Sequence, residues 1–246
     1  MVPVLVAHGL VKSYRRRRIV DRVDLAVEPG ERVAILGPNG AGKTTTLLMC
    51  LGVVRPDAGT VSIAGHTLPR KRAAARANVG FAAGYLPMPD RIRVREYLTF
   101  YGRLHGLDDM AERSAAALRR FGVEHLASAM ATELSSGQKT LVGIVKATLH
   151  APPLLVLDEP TASLDPDVAN RVRAGLAEIC GPGGSSLLLT SHNTTEVERL
   201  ADRVVFLSGG RVVANDAPAR VAAQFGSDNL EDVFLRLAGS PVGTDR

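Results

Sequence analysis

Nine consecutive residues constrain the fold of this chain more than any other part of its sequence. The first eight match G-x-x-x-x-G-K-[ST], the phosphate-binding loop pattern called Walker A, and the nine are Gly37, Pro38, Asn39, Gly40, Ala41, Gly42, Lys43, Thr44 and Thr45. An apolar segment typical of a strand, residues 32–36, precedes the loop, and an apolar run at 46–51 follows it. The pattern therefore lies between a predicted strand and a predicted helix, which is the context in which such a loop binds phosphate.

The residue types of this loop suit a chain of phosphates. Glycines let the backbone turn its N–H groups inward, and the following helix points its positive end at the anion. Lys43 can reach the β- and γ-phosphates, and the Thr44 hydroxyl can hold Mg²⁺. The alternative is a glycine-rich turn that binds nothing, but the full spacing and both flanking segments favour the phosphate site.

A second motif lies at residues 154–160, where a continuous apolar run ends in two acids and a proline. Such a run is typical of a buried parallel strand with a site at its carboxyl end, and this one has the Walker B pattern. Asp158 can hold the Mg²⁺ shell, and Glu159 can orient and polarise an attacking water. A solvated Asp-Glu turn is the alternative, which the upstream Walker A loop disfavours.

Composition sets wider bounds. Hydrophobic residues make up 46% of the chain and aromatic residues only 4%, so we expect a core of Ala, Val and Leu. The net charge of +5 permits an acidic partner without choosing one. Cys50 and Cys180 lack metal or redox spacing and are expected to be packing residues. We expect no signal peptide, and no apolar run is long enough to span a bilayer.

The amino-terminal part, residues 4–36, is predicted to be rich in β-structure, with strands at 4–7 and 23–27. Between them lie four arginines, Arg15–Arg18, which could bind nucleic acid or lipid headgroups but which we interpret as a solvated turn. Tyr14 could stack on a base or be an ordinary aromatic of an edge strand. The sequence leaves these two roles open.

The remaining chain alternates between helices and strands. Helical spacing of apolar residues dominates 93–150, which predicts a helical insertion in an α/β chain. A second buried strand, 187–192, brings His192 to its carboxyl end, in the layer where it could touch a γ-phosphate. Further helices are predicted at 194–201 and 217–238, with a hairpin at 204–214 between them.

Together these residues resemble those of an ATP-binding cassette (ABC) transporter ATPase, over nearly the whole chain from about residue 4 to 238. The segment 134–138 resembles the signature of the family, with Ser136 where the family usually has glycine. Asp165 falls in a segment similar to the D-loop, His192 resembles the switch histidine, and Tyr14 falls where the family stacks adenine. Several motifs in a fixed order make this resemblance specific.

The resemblance implies the fold and its limits. It implies a P-loop NTPase core of α/β class with a parallel sheet, an N-terminal antiparallel β subdomain and an inserted helical subdomain. The ATP-binding domain would span 4–235, with the insertion at about 90–150, and 236–246 would be a polar C-terminal tail.

The resemblance also implies the chemistry. ATP and Mg²⁺ are the expected ligands, with Glu159 and His192 as catalytic residues and Thr44 and Asp158 at the metal. In the family two such domains pack head to tail, and each ATP lies between one phosphate loop and the partner's signature, here Ser135, Ser136, Gly137 and Gln138. We expect a homodimer or a paired ABC ATPase that acts on an integral-membrane permease at the cytoplasmic face of the cell membrane.

Export is the expected direction of transport, because residues 230–237 resemble the tail of exporter subunits that pair with separate permeases. The main alternative is a non-transport ABC ATPase acting on nucleic acid or ribosomes through Arg15–Arg18. Such relatives usually carry two cassettes or a long coiled coil, so no nucleic acid is expected. A regulatory module that barely hydrolyses ATP is disfavoured by the presence of Glu159.

One family feature is missing. The family usually places a glutamine, the Q-loop, between the phosphate loop and the helical subdomain, yet no glutamine occurs between Lys43 and Gln138. Tyr85 is the best positional match, ahead of Met88 and Asp90. Its hydroxyl could replace the amide, or the ring could only pack where the helical subdomain joins the core, and the sequence leaves both readings open.

Overall fold

The structure is a computed structural model that describes residues 2–84, 86–162 and 164–239. In chain order the first elements are β1 (Leu5–Tyr14), β2 (Arg17–Val27), β3 (Arg32–Leu36), α1 (Lys43–Cys50), β4 (Ala58–Ile63), β5 (His66–Thr67), α2 (Arg72–Ala77), β6 (Val79–Ala83), α3 (Val94–Leu104) and α4 (Met110–Arg120). They are followed by α5 (Ser136–Thr148), β7 (Leu154–Asp158), α6 (Pro166–Ile179), β8 (Ser186–Ser191), α7 (Thr194–Leu200), β9 (Arg203–Ser208), β10 (Arg211–Asp216), α8 (Pro218–Gln224) and α9 (Leu230–Gly239).

A six-stranded sheet forms the centre, in the order β10-β9-β3-β8-β7-β6. Its strands pair in parallel from β6 to β9, and β10 adds an antiparallel edge. Every residue of β7 and β8 is buried, as their apolar runs predict for strands that are covered on both faces. The predicted parallel core of an α/β fold is confirmed.

The two faces of this sheet carry separate cores. Side chains alternate along each strand, so Ala34 and Leu36 of β3 join the cluster on the side of α5 and α6, whereas Val33 and Ile35 join the cluster beneath the antiparallel sheet and α1. Strand β3 therefore packs against both layers, and the phosphate loop begins directly after its last residue, Leu36.

The second sheet is antiparallel, in the order β2-β1-β4-β5. Its strands exceed the predicted ones, since β1 runs to Tyr14 and β2 begins at Arg17. The pairing continues through three register shifts in β1, which break the alternation that sequence reasoning relied on. The turn between the two strands consists of exposed Arg15 and Arg16, so the arginine run lies at a hairpin tip, as predicted.

The helical insertion contains α3, α4 and the start of α5, with two 3₁₀ turns at Glu124–Leu126 and Ala131–Glu133. It packs closely on the core through Phe121. The ring of Phe121 lies so near Gly175 of α6 that a Cβ at Gly175 would be only 2.6 Å from it. The carboxyl-terminal half of α5 packs on β6, and the chain then enters β7. Thus α5 connects the insertion to the parallel sheet.

The end of the chain differs from the prediction of one helix over 217–238. Two helices, α8 and α9, are separated by residues 225–229, where Gly226 has a φ of 64°. The break coincides with Gly-Ser-Asp-Asn at 226–229, a turn signal that the prediction of one helix overlooked. Helix α9 also crosses the predicted domain boundary at 235 and continues to Gly239.

No helix in the described ranges combines the length and the apolar composition that crossing a membrane requires.

The contact between β6 and α5 leaves no room for a side chain at Gly80. A Cβ there would overlap the carbonyl oxygen of Ala147 in α5. We expect Gly80→Ala to lower the free energy of unfolding by about 1–3 kcal/mol, as overpacking does, measured by chemical denaturation. Gly143→Ala is the control, because its Cβ would meet only the Cβ of Ala82 at 3.9 Å and a helical glycine replaced by alanine gains up to about 1 kcal/mol. Equal stabilities of the two variants would contradict this packing.

Candidate functional site

The candidate site lies at the carboxyl ends of the parallel strands. Leu36 at the end of β3 is in register with Ser191 of β8, and Asp158 at the end of β7 is in register with Thr190 of β8. Ligand sites of open parallel sheets lie at this edge. The loops after β3, β7 and β8 therefore bring together residues that are far apart in the sequence.

The loop after β3 depends on two glycines before it enters α1. Gly40 and Gly42 have φ values of 81° and 100°, in the left-handed region that glycine adopts without cost. Gly42 is also required by space, since a Cβ there would lie 2.7 Å from the carbonyl oxygen of Ile19 in β2. The antiparallel sheet thus packs against the loop, whose end is the amino terminus of α1, where an anion is favoured.

Lys43 is a buried cation, with 7% of its surface exposed. Its Nζ donates hydrogen bonds to the carbonyl oxygens of Gly37 at 2.7 Å and Pro38 at 3.3 Å, and Oε1 of Glu159 lies 3.9 Å away. Burial lowers the pKa of the Lys43 ammonium, and the charges of Glu159 and Asp158 oppose that shift. A desolvated cation held mainly by neutral carbonyls is well suited to bind phosphate oxygens.

Asp158 is 2% exposed and is held by hydroxyl groups. Its Oδ1 accepts hydrogen bonds from Thr190 Oγ1 and, at 3.4 Å, from Thr44 Oγ1. The two predicted metal-binding residues, Thr44 and Asp158, are therefore neighbours across the ends of α1 and β7.

Thr190 is a site residue that the sequence analysis did not identify. Besides donating to Asp158, its Oγ1 accepts a hydrogen bond from the backbone N–H of Glu159 at 3.1 Å, and its carbonyl oxygen lies 3.2 Å from the same N–H. One threonine on β8 thus fixes both acids at the end of β7. The only signal in the sequence is a hydroxyl residue that ends an apolar run.

Glu159 and His192 form the pair that the sequence placed at the ends of two strands. His192 Nδ1 lies 2.7 Å from Glu159 Oε2, and the side chains are 54% and 28% exposed. Glu159 has a φ of 50°, so the chain turns sharply directly after β7. The structure brings this carboxylate and imidazole together beside Lys43.

The signature-like segment caps α5. The backbone N–H of Gln138 donates to Ser135 Oγ at 3.2 Å, and the N–H of Ser135 donates to Gln138 Oε1 at 2.9 Å, which is a capping box. Asp165 is the residue before α6. A cavity of about 340 Å³ joins these features, and its described lining contains no residue of the phosphate loop; it is lined by Ser135, Ser136, Gly137, Gln138 and Asp165, with His125 and Arg171 among the others.

Two further residues, Tyr14 and Tyr85, belong to the predicted site. Tyr14 ends β1 with 47% of its surface exposed, and Lys12 Nζ lies 5.5 Å from the centroid of its ring. Tyr85, the predicted substitute for the Q-loop glutamine, lies outside the described residues.

Comparison with known proteins gives consistent matches. The family model described as ABC transporter matches residues 20–162. A protein from Paraburkholderia xenovorans (strain LB400), named Nod factor export ATP-binding protein I, is 39% identical over 89% of this chain and 73% of its own length. A protein of the same name from Cupriavidus metallidurans is 34% identical over 94% of this chain and 77% of its own length.

Solved structures agree on the fold. One described as the ATP binding subunit of an ABC transporter is 30% identical, covers 95% of this chain and 99% of that chain, and has a TM-score of 0.82. One described as a dimeric bacterial ABC transporter cassette is 21% identical, covers 87% and 98% of the two chains, and has a TM-score of 0.81. At that identity the second likeness shows the fold alone.

The hydroxyl of Thr190 is open to a direct test. Thr190→Val keeps the side-chain shape but removes the hydrogen bond to the Asp158 carboxylate, a kind of bond worth about 1.5–3 kcal/mol. We expect kcat for ATP hydrolysis to fall about tenfold to a hundredfold. Ser186→Ala is the control, because Ser186 Oγ is a buried hydroxyl at the opposite end of the same strand, bonded to the Gly30 N–H. An unchanged kcat in Thr190→Val would show that Asp158 and Glu159 are held without it.

Proposed function

Since the chain belongs to the ABC transporter family, we propose that it powers export of a substrate through a separate membrane-spanning permease. The resemblance found in the sequence is confirmed, and the chain is an ATP-binding, ATP-hydrolysing subunit of an ABC transporter. The observation that supports export is the name shared by relatives that align with most of this chain, Nod factor export ATP-binding protein I. The substrate is a property of the permease.

For ATP binding we propose that the nine loop residues 37–45 cradle the phosphates. The support is the buried Lys43 ammonium, whose Nζ is held by the carbonyl of Gly37, at the amino end of α1. Tyr14 is proposed to stack on adenine, because its ring is exposed at the end of a strand whose hairpin partner, β2, packs against Gly42.

For hydrolysis we propose that Glu159 accepts a hydrogen bond from the attacking water and so orients its lone pair toward the γ-phosphorus. The new bond joins the water oxygen to that phosphorus while a proton of the water passes to Glu159. The bond to the oxygen shared with the β-phosphate breaks, and ADP leaves with that oxygen. His192, 2.7 Å from Glu159, is proposed to hold the carboxylate in place and to contact the γ-phosphate.

The oxygen ligands at the site fit Mg²⁺, which prefers carboxylate, hydroxyl and phosphate oxygens. Asp158 Oδ1 and Thr44 Oγ1, 3.4 Å apart, are proposed to hold it, directly or through water. When bound, the ion neutralises charge on the phosphates.

ABC ATPase cassettes work as dimers with membrane permeases, and we propose that this chain forms such a pair at the cytoplasmic face of the cell membrane. Ser135–Gln138 and Asp165 line a cavity without any described loop residue, which supports their binding the partner's ATP. Residues 4–235 are proposed as the ATP-binding domain, with the helical subdomain at about 90–150.

Lys43→Ala tests the phosphate site. Removal of a charged hydrogen-bond donor is expected to weaken Mg-ATP binding about tenfold to a hundredfold, measured by nucleotide titration. Lys71→Ala, an exposed lysine before α2, is the matched control. If Lys43→Ala bound Mg-ATP as tightly as the control, the assignment of the loop would be wrong.

Glu159→Gln tests the catalytic carboxylate and the dimer. We expect the variant to bind ATP, to lose turnover and to accumulate as a dimer, because the bound ATP that joins the two chains is no longer cleaved. Size-exclusion chromatography with and without ATP measures the dimer. Glu178→Gln, which alters an exposed partner of Arg120, is the control.

Two results would contradict these proposals separately. Wild-type turnover in Glu159→Gln would show that Glu159 does not orient the attacking water. A variant that stays monomeric with ATP, both alone and with the permease present, would contradict a dimer in which each ATP lies between the two chains. Export is tested in membrane vesicles containing chain and permease, where ATP hydrolysis should be stimulated by the permease and abolished by Glu159→Gln.

A further inference from the structure

A buried carboxylate lies behind the catalytic pair. Glu196 of α7 is 2% exposed, and each of its oxygens accepts a hydrogen bond from a hydroxyl group. Oε1 accepts from Thr161 Oγ1, and Oε2 accepts from Ser191 Oγ at 2.7 Å. No lysine or arginine in the described part of the chain forms a salt bridge with it.

The two hydroxyl partners belong to the two segments that carry the catalytic pair. Thr161 lies two residues after Glu159, on the way to Asp165. Ser191 directly precedes His192, and its Oγ also accepts from the N–H that follows His192, that of Asn193, at 3.0 Å. A single carboxylate therefore joins the segment after β7 to the last residue of β8.

The helix that carries Glu196 is anchored to the same place. Asn193 Oδ1 accepts a hydrogen bond from the Glu196 N–H at 3.0 Å and so caps α7. Because the cap residue follows His192, the position of the helix and the position of the imidazole are determined together.

The catalytic pair needs such support. A contact as exposed as that between Glu159 and His192 contributes little by itself, since even an exposed ion pair contributes only about 0–1 kcal/mol. Glu159 also has a left-handed φ of 50°, which persists only when surrounding structure holds it. The buried hydrogen bonds of Glu196 to Thr161 and Ser191 hold the segments that carry the pair.

We propose that Glu196 is a positioning residue for ATP hydrolysis, which sets the distance between Glu159 and His192 by clamping Thr161 and Ser191 to one carboxylate. Burying a carboxylate without a cationic partner is unfavourable, and an apolar side chain would be cheaper. Its presence is explained by the need to hold two segments in a fixed register. The inference rests on the proposed roles of Glu159 and His192.

The test is a double-mutant cycle on the full chain, with Glu196→Ala, His192→Ala and both together. Displacement of a catalytic group by about 1 Å can cost about a hundredfold, so we expect Glu196→Ala to lower kcat between about tenfold and a hundredfold, with KM for ATP changed less than about twofold. In the His192→Ala background the same change should cost less than about twofold, because the positioned group is already absent.

Glu196→Gln separates geometry from charge. Hydroxyl groups can donate or accept, so one can donate to the amide oxygen and the other can accept from the amide nitrogen. We expect kcat within about threefold of the wild type. Glu198→Gln is the matched control on the same helix, because Glu198 accepts from the Leu230 N–H and not from the site, and it should leave kcat unchanged.

The outcomes are distinct. Losses that multiply in the double variant, a change confined to KM, or a Glu196→Gln variant as impaired as Glu196→Ala would overturn the role of Glu196. Wild-type turnover in His192→Ala would overturn the proposed role of His192 as well. If Glu196→Ala does not fold, Thr161→Val replaces it in the cycle with the same expected interdependence, and multiplying losses there would again overturn the proposal.

Discussion

The buried ammonium of Lys43 is the interaction on which the site depends. It is held by two backbone carbonyls of its own loop. Asp158 is bound by hydroxyls, and Glu159 contacts His192 through Oε2 while its Oε1 lies 3.9 Å from the Lys43 ammonium. The positive charge is therefore only partly balanced in a place with little water, at the end of a helix that also favours an anion. A bound phosphate would supply the negative charge that the protein itself provides only in part around the Lys43 ammonium.

The order of the strands brings acidic side chains and a histidine to the same edge of the sheet as this cation. β8 lies between β3 and β7 although it follows β7 in the chain, so Thr190 lies beside Asp158 and His192 beside Glu159. The Thr190 hydroxyl of β8 then holds both acids, and Glu196 holds Thr161 and Ser191. Thr190, Ser191 and Glu196 are each no more than 2% exposed, and this buried support is how an exposed acid and imidazole can keep one geometry.

Sequence reasoning located Lys43 from the spacing of its motif, and Asp158 and His192 from the ends of predicted strands, because motif spacing and strand ends are local properties. It did not locate Thr190 or Glu196, because their partners depend on which strands are neighbours. The same limit explains one of the fold errors. The bulges of β1 are defined by its pairing with β2, which the sequence of β1 alone does not show. The break between α8 and α9 lies at the polar run 226–229, a turn signal that the prediction of one helix overlooked.

The phosphate loop has a further consequence for synthesis of the chain. Its strand, β3, pairs only with β8 and β9, and the space at Gly37 is closed by the carbonyl of Leu207. A ribosome that has made residues 37–45 has thus made the motif and β2, whose Ile19 packs against Gly42, but neither β8 nor β9. It must translate most of the remaining chain before those two strands exist. Because a ligand stabilises only a state that binds it, ATP cannot protect the growing chain and stabilises only nearly complete molecules.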